Sequence, residues 1–525
     1  MTEFDVLVVG SGFGGSVAAL RAAEKGYRVA VLEAGRRFGP SDFPRTNWHV
    51  RRYLWLPRLG CRGIQRLTLL RDVLVLSGAG VGGGSLVYAN TLNEPLDEFY
   101  DDPQWAEIAD WRAELAPYFE LGRRMLGAVE VPFTTPADEV MRQVANRMGV
   151  GETFRRTEVA VHFGPAGPDP YFGGAGPSRG TCVRNGGCMV GCRHDAKNTL
   201  DRNYLYLAER AGAVVLPERE AVCVRAVARR FEVETQRPGA WTRRRREVFR
   251  AEQVVLAAGV LGTLRLLGRS RLGGPRVGHA VRTNSEAIVG ASARRTGVDY
   301  SAGVAITSAF RPRPDTEIQP VRYPPGSNLL GLLGTILVDG GGRVPRQVRF
   351  AAQAARHPLR LARSLSVRRW SERTIVLLVM QSVDNALRVR WTGRRLVSRR
   401  EDGAKAPPSY IPEANEAARL AAELIGGDPG SSLNEVLLDV PTTAHILGGA
   451  CIGASPERGV VDAYHRVFAV PGLHVVDGSA VSANPGTNPA LTIVAQAERA
   501  LSFWPTRGDP DPRPPLGERY QPVGL

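Results

Sequence analysis

The stretch 5–35 constrains this chain more than any other. Residues 6–9 are a short apolar run of the kind a parallel strand buried on both faces requires. It enters Gly10-Ser11-Gly12-Phe13-Gly14-Gly15, which fits G-x-G-x-x-G, and then an Ala-rich helix over 16–25, stopped by Gly26. A second apolar strand over 28–32 ends at Glu33. Each part has a mechanism. Gly10 allows the tight turn, Gly12 lets backbone approach a pyrophosphate, and Gly15 lets the helix pack close to the strand. The helix N-terminus faces the phosphates, and Glu33 stands where ribose hydroxyls would be bonded. Strand, motif, helix and acid in this order predict a dinucleotide site. FAD, NAD and NADP remain open, the acid disfavouring NADP.

A chain of 525 residues exceeds one ordinary core, so two large or interleaved units are expected. The net charge of +16 suggests nucleic acid at first sight. Lysine occurs only at positions 25, 197 and 405, so the charge is arginine spread along the chain, without a basic block at a nucleic-acid motif. No nucleic-acid partner is expected. A strand beginning by residue 5 leaves no room for a signal peptide, and no apolar run reaches membrane-span length. A cytoplasmic, reducing location follows. The clustered cysteines 182, 188 and 192 then point to metal or redox chemistry rather than a disulfide framework.

After an Arg- and aromatic-rich stretch over 38–71, the run 76–90 (LSGAGVGGGSLVYAN) carries so many glycines that its backbone must thread past something bulky. Residues 104–129 read as a helical pair and 132–176 as loops with short strands. A helix is expected over 200–212 and strands over 214–227 and 244–258, the last entering a second glycine turn and a helix to Leu267. Residues 303–337 and 375–389 have the alternating, β-branched look of a sheet. Between them, 343–373 carries nine arginines among Phe350, Leu359, Leu361, Leu365 and Trp370. This is either a basic amphipathic helix for an anionic membrane or partner surface, or a solvated helical insertion, broken at Pro358. The Pro-rich tail from Gly508 is expected to extend over the surface.

Near the C-terminus, 472–479 reads as a strand ending in Asp477 and a glycine turn. Gly486-Thr487-Asn488-Pro489 then opens a helix over 490–500, its N-terminus suited to developing negative charge on a reduced flavin ring. Taken in order, the glycine-rich opening, AGVGGGSLVYAN, AAGVLGT, AHILGG and DGSAVSANPGTNPALTI resemble the glucose–methanol–choline (GMC) oxidoreductases, particularly their bacterial cholesterol oxidase-like members. The resemblance spans essentially the whole chain. It implies an α/β fold, a Rossmann-type FAD-binding domain with an interleaved α+β substrate domain on an antiparallel sheet. FAD-binding segments are expected over 1–100, 196–290 and 456–507, a cover region with the Cys hairpin over 101–195, the substrate domain over 291–455, and the tail over 508–525. The implied chemistry is hydride transfer from an alcohol to FAD, the favoured substrate being a sterol or other bulky hydrophobic secondary alcohol.

Carried over by residue, the resemblance makes His445 and Asn488 the pair at the substrate oxygen. An imidazole can assist departure of the hydroxyl proton and an amide can orient the oxygen. Glu317, in Glu317-Ile318-Gln319-Pro320, resembles a catalytic carboxylate of the cholesterol oxidases. The implied cofactor contacts are Gly10, Gly12, Gly15, Glu33, Gly83, Gly84, Ala89, Val222, Asp477, Asn488 and Pro489. Tyr88 departs from the pattern, standing where the cholesterol oxidases have an asparagine. Cys182-x5-Cys188-x3-Cys192 resembles the hairpin with which some sugar dehydrogenases of the family hold a [3Fe–4S] cluster. Zinc with His194, or plain thiols, are the alternatives. A cluster would make the acceptor a protein or quinone; without one, oxygen is expected.

Overall fold

The strand Glu3–Val9 is buried because it has a parallel neighbour on each side, Val29–Leu32 and Arg246–Leu256. Val214–Leu216 extends this sheet beyond Val29–Leu32, and Leu473–Val475 lies parallel beside Arg246–Leu256. The computed structural model describes residues 3–240, 246–295, 297–468 and 470–522. Three stretches far apart in sequence therefore build one parallel sheet. The long strand Arg246–Leu256 also pairs antiparallel, through its first half, with Arg230–Gln236, which pairs with Glu220–Val227. Helices Phe13–Glu24 and Ala490–Ser502 pack together over this sheet, with Trp111–Leu126 beyond them.

A second sheet is antiparallel. Its order is Gly334–Ile336, Gly427–Ser432, Ala287–Ala293, Thr374–Gln381, Thr316–Val321, Ser308–Arg313 and Arg155–Arg156. Period-two alternation divides its residues. Ala287, Val289, Ala291, Ile318, Leu377 and Val379 join one core with Ala418 of helix Pro412–Leu424 and Met141 of helix Pro136–Arg147. Of the alternate residues, Ile288, Gly290, Ser292, Val376 and Leu378 line the cavity described below. The fold is the α/β architecture expected, a Rossmann-type unit interleaved with an antiparallel-sheet unit.

Several elements differ from the sequence reading. One helix, Trp111–Leu126, forms where a pair is expected over 104–129. Trp105 is buried with its ring stacked 4.4 Å from that of Trp111, and the chain turns there instead of continuing a helix. The strand expected from 244 begins at Arg246; positions 244 and 245 lie outside the described residues. Ala287–Ala293 belongs wholly to the second sheet, so a boundary at 290 falls inside a strand. Residues 343–373 form three helices, Arg346–Arg356, Pro358–Ser364 and Trp370–Arg373, the first break lying at His357 and Pro358. Proline cannot continue the first helix but suits the first turn of the second. The tail is tied down as well as extended: Tyr520 Oη donates to Glu114 at 2.6 Å and the Gln521 amide donates to Tyr464 Oη at 3.1 Å. Among the described residues, no helix is long and apolar enough to cross a membrane.

Candidate active site

A cavity of about 1240 Å³ runs from the glycine turn to the second sheet. This exceeds the roughly 300–1,000 Å³ of a site for one small ligand and leaves room for a dinucleotide and a substrate. Gly10, Gly12, Glu33, Gly83 and Gly84 line one arm, and Ala89, Val222, Asp477, Asn488 and Pro489 also line the cavity. Gly15 lies behind that lining. A Cβ there would stand 2.1 Å from the Gly10 carbonyl oxygen, whereas one on Gly12 would meet nothing within 4 Å. The turn is thus closed on its protein side and open on its cavity side, as a pyrophosphate requires. A Cβ on Gly14 would stand 1.8 Å from the Val476 carbonyl oxygen, so a glycine there lets the helix pack against the C-terminal strand.

The other dinucleotide positions fit as well. A register shift between Ala221 and Cys223 drops Val222 out of the ladder, leaving its backbone groups for a ligand. Glu33 accepts from the Ser11 amide at 3.1 Å, Ser11 Oγ at 2.6 Å and the Gly35 amide at 2.7 Å, so ribose hydroxyls would share a carboxylate that already braces the turn. Asp477 accepts from Thr263 Oγ1 at 2.6 Å and from the Ser479 amide at 2.9 Å. Burial raises its carboxyl above the usual value, against the lowering effect of Ser479 and Thr263. The residues present fit an FAD.

At the second sheet the cavity meets His445, which comes from the loop after Thr442–Thr443, a short strand paired parallel with Leu74–Gly78. His445 Nδ1 stands 3.0 Å from Oε1 of Glu286, a residue the sequence reading missed. The contact has an ion pair's distance but not a hydrogen bond's alignment. Glu286 is 1% exposed and accepts from Thr443 Oγ1 at 2.6 Å, the Ala444 amide at 2.9 Å and the His445 amide at 3.2 Å. Burial alone would raise its carboxyl. The His445 imidazole and these donors outweigh burial and hold it below the usual carboxylate value.

Opposite, Asn488 Nδ2 lies 3.5 Å from His445 Nε2. Its amide orientation is set from behind, because Asn488 Oδ1 accepts from Gln319 Nε2 at 2.9 Å and from Asn93 Nδ2 at 3.2 Å. Both donors also bond Glu317 Oε1, at 2.6 and 3.0 Å, while Arg155 and Arg311 hold Glu317 Oε2 at 2.5 and 3.3 Å. The structure thus brings His445 and Asn488 together, and puts Glu317 one layer behind them, outside the residues that line the cavity. Asn93 and Gln319 were not singled out from sequence. Gln319 carried a signal, being two residues from Glu317 and so on the same strand face.

Nδ1 is turned to a buried carboxylate and Nε2 to Asn488 and the cavity, so a ring carrying its proton on Nδ1 would face the cavity with the Nε2 lone pair.

The cysteine hairpin lies nearby. Cys182, Cys188 and Cys192 line a separate cavity of about 40 Å³ with Lys197, whose Nζ donates to the carbonyls of Tyr88 at 2.9 Å and Cys188 at 2.8 Å. Burial, reinforced by Cys188, pushes the Cys182 thiol up to about 12, and burial lowers Lys197 to about 8. Among the described residues no group of three or more His, Cys, Asp or Glu is arranged to hold a metal ion. The space suits about one water, and the residues as placed do not fit a [3Fe–4S] cluster.

A Glu286→Gln substitution removes the charge opposite Nδ1. It is expected to slow flavin reduction by substrate under anaerobic conditions by roughly 10²-fold or more with FAD content unchanged. Because the folded-state carboxyl is held low, its stabilisation is present above the usual carboxylate range and lost as pH falls through the lowered value. The wild type should therefore lose an acid-side component of thermal stability that Glu286→Gln lacks; identical acid limbs in a melting series would contradict this.

Comparison with known proteins agrees at both ends of the chain. Residues 373–497 match the GMC oxidoreductase family and residues 5–42 an FAD-binding domain. A cholesterol oxidase of Mycobacterium tuberculosis is 51% identical, covering 99% of this chain and 94% of that one. Another, from Acinetobacter baumannii, is 41% identical over 96% of this chain and 95% of its own. Among solved structures, a pyridoxine 4-oxidase from Mesorbium loti superposes with a TM-score of 0.63 at 16% identity, covering 95% of this chain and 98% of that one, a likeness of fold alone. The chain belongs to the GMC oxidoreductase family, as an FAD-dependent enzyme acting on CH–OH donors.

Proposed function

We propose that the enzyme oxidises the 3-hydroxyl of a sterol, or of a similarly bulky hydrophobic secondary alcohol, to the ketone, with oxygen as final acceptor. The observation that carries this reading is the His445–Asn488 pair facing a large cavity whose walls beyond it are apolar, including Ile288, Val376 and Leu378. The cholesterol oxidases at 51% and 41% identity support the sterol.

FAD, when bound in the glycine-lined arm, would take the hydride from the carbinol carbon. The chain's own part is the proton and the oxygen. His445 Nε2 receives the hydroxyl proton as the carbonyl forms, and Glu286 stabilises the resulting imidazolium from the Nδ1 side. Asn488 Nδ2 donates to the substrate oxygen, held in that orientation by Asn93, Gln319 and, through them, Glu317. With two arginines on it and the cavity lining in front, Glu317 acts on this step through Asn488. Service as a base that moves a ring double bond would require it to turn forward past Gln319.

The test is anaerobic mixing of FAD-loaded enzyme with cholesterol, followed by peroxide measurement in air. Wild type should bleach the flavin and give peroxide, and His445→Gln should retain FAD while reducing it roughly 10²-fold more slowly. Reduction unchanged in His445→Gln would remove that residue from the mechanism. Flavin reduction with little peroxide would keep the alcohol oxidation and replace oxygen with another electron acceptor.

Peripheral membrane contact, if the substrate is drawn from a bilayer, belongs to helices Arg346–Arg356 and Pro358–Ser364. Their outer face carries exposed Val348 and Leu359, with Leu365 just beyond, among arginines. Sedimentation with vesicles should rise when anionic lipid is included; equal sedimentation with neutral vesicles would remove the electrostatic part.

A further inference from the structure

Strand alternation makes the second sheet a ruler for the substrate. Glu286, Ile288, Gly290 and Ser292 follow one another along the cavity floor, and at about 3.3 Å per residue they span about 20 Å. Thr374, Val376 and Leu378 line the cavity beside them in antiparallel order, Leu378 opposite Ile288 and Thr374 opposite Ser292. One end of the floor is catalytic, where Glu286 meets His445. The other end is Ser292, Thr374 and Asp428, with Ser292 Oγ 2.8 Å from Thr374 Oγ1 and Asp428 opposite Ser292 on the next strand.

The wall changes character along this length. Beyond the catalytic pair it is apolar, through Ile288, Val376, Leu378, Leu330 and Ile336. The far end is lined by Gln353, His357, Arg360, Arg363 and Arg373. Asp428 is the acid lining that end among the described residues, and it is already engaged. Arg363 Nε reaches it at 2.6 Å, Arg294 Nη2 at 2.7 Å, and Arg360 Nε only at 3.9 Å, beyond hydrogen-bond length. Arg373 donates to the carbonyls of Ala293 at 3.3 Å and Ser366 at 2.7 Å, which accept its hydrogens without cancelling its charge. One carboxylate thus faces Arg294, Arg360, Arg363 and Arg373. A hydrocarbon tail gains nothing from guanidiniums, whereas an anion gains charge-assisted, planar hydrogen bonds.

We propose that the far end of this cavity binds an anionic group, a carboxylate, sulfate or phosphate, carried by the alcohol about 20 Å from its reacting hydroxyl. Arg360 is its principal contact, because Arg363 is committed to Asp428. The inference rests on the sterol-type alcohol oxidation proposed above and adds to it the chemistry of the substrate's other end.

The test compares a 3β-hydroxysteroid bearing a side-chain carboxylate with its methyl ester, on FAD-loaded wild type and Arg360→Gln. In wild type, kcat/KM for the acid should exceed that for the ester by roughly ten-fold or more. In Arg360→Gln the ratio should fall close to one, and in Arg360→Glu it should invert. Because each variant supplies its own ratio, a general loss of folded enzyme cancels. Titrating both steroids onto oxidised holoenzyme, read by the shift in flavin absorbance, gives the same comparison without turnover. Neither steroid reducing the flavin, with the acid still bound more tightly, would fail the oxidation reading and keep the anion site. Equal handling of acid and ester, or a preference that survives Arg360→Glu, would overturn the anion site alone.

Discussion

A carboxylate removed from water and left charged needs partners on nearly every side. Glu286 finds them in the His445 imidazole, the Thr443 hydroxyl and the backbone amides of Ala444 and His445. Those donors all come from one short loop, so the same bonds that hold the charge also hold the loop. Glu286 precedes the central strand Ala287–Ala293, while the loop follows a strand pair with Leu74–Gly78 and is tied again where Leu447 and Arg282 exchange backbone bonds. The histidine is thus held on a loop that follows a separate short strand pair, and its charge partner comes from the entry to the second sheet's central strand.

Asn488 reaches the same point from the other direction. It stands just before the helix Ala490–Ser502, which packs on the first helix of the chain over the dinucleotide sheet. Its amide is then oriented by Asn93 and Gln319, both anchored on Glu317. Two buried acids therefore frame the site with different tasks. In the proposed mechanism Glu286 polarises a group that changes protonation, and Glu317 fixes donors that keep theirs. The two arginines on Glu317 hold it in place.

What could be seen in the sequence follows from how local each signal is. The dinucleotide turn was legible because strand, glycines, helix and acid lie within one βα unit, and His445 and Asn488 were legible because each sits in a short motif. Glu286 was not, being 159 residues from the loop it holds and opening an apolar strand like any other acid at a strand entry. The arginine-rich segment showed its helical character and its break at Pro358, but the role of its charge depends on Asp428, 65 residues away from Arg363. The cysteine spacing was readable and its geometry was not: burial around a small cavity is a property of the folded loop. Helix pairing over 104–129 failed because the stacked Trp105 and Trp111 favour a tight turn over a helix.

The proposed mechanism depends most on the protonation of His445, and 15N nuclear magnetic resonance of selectively labelled histidine in oxidised holoenzyme reads it directly. The His445→Gln variant assigns the signal among the eight histidines. A neutral ring protonated at Nδ1 and bare at Nε2, reverting to mixed tautomers in Glu286→Gln, is the predicted result. A proton resident on Nε2 in the wild type would place the base elsewhere and contradict the mechanism.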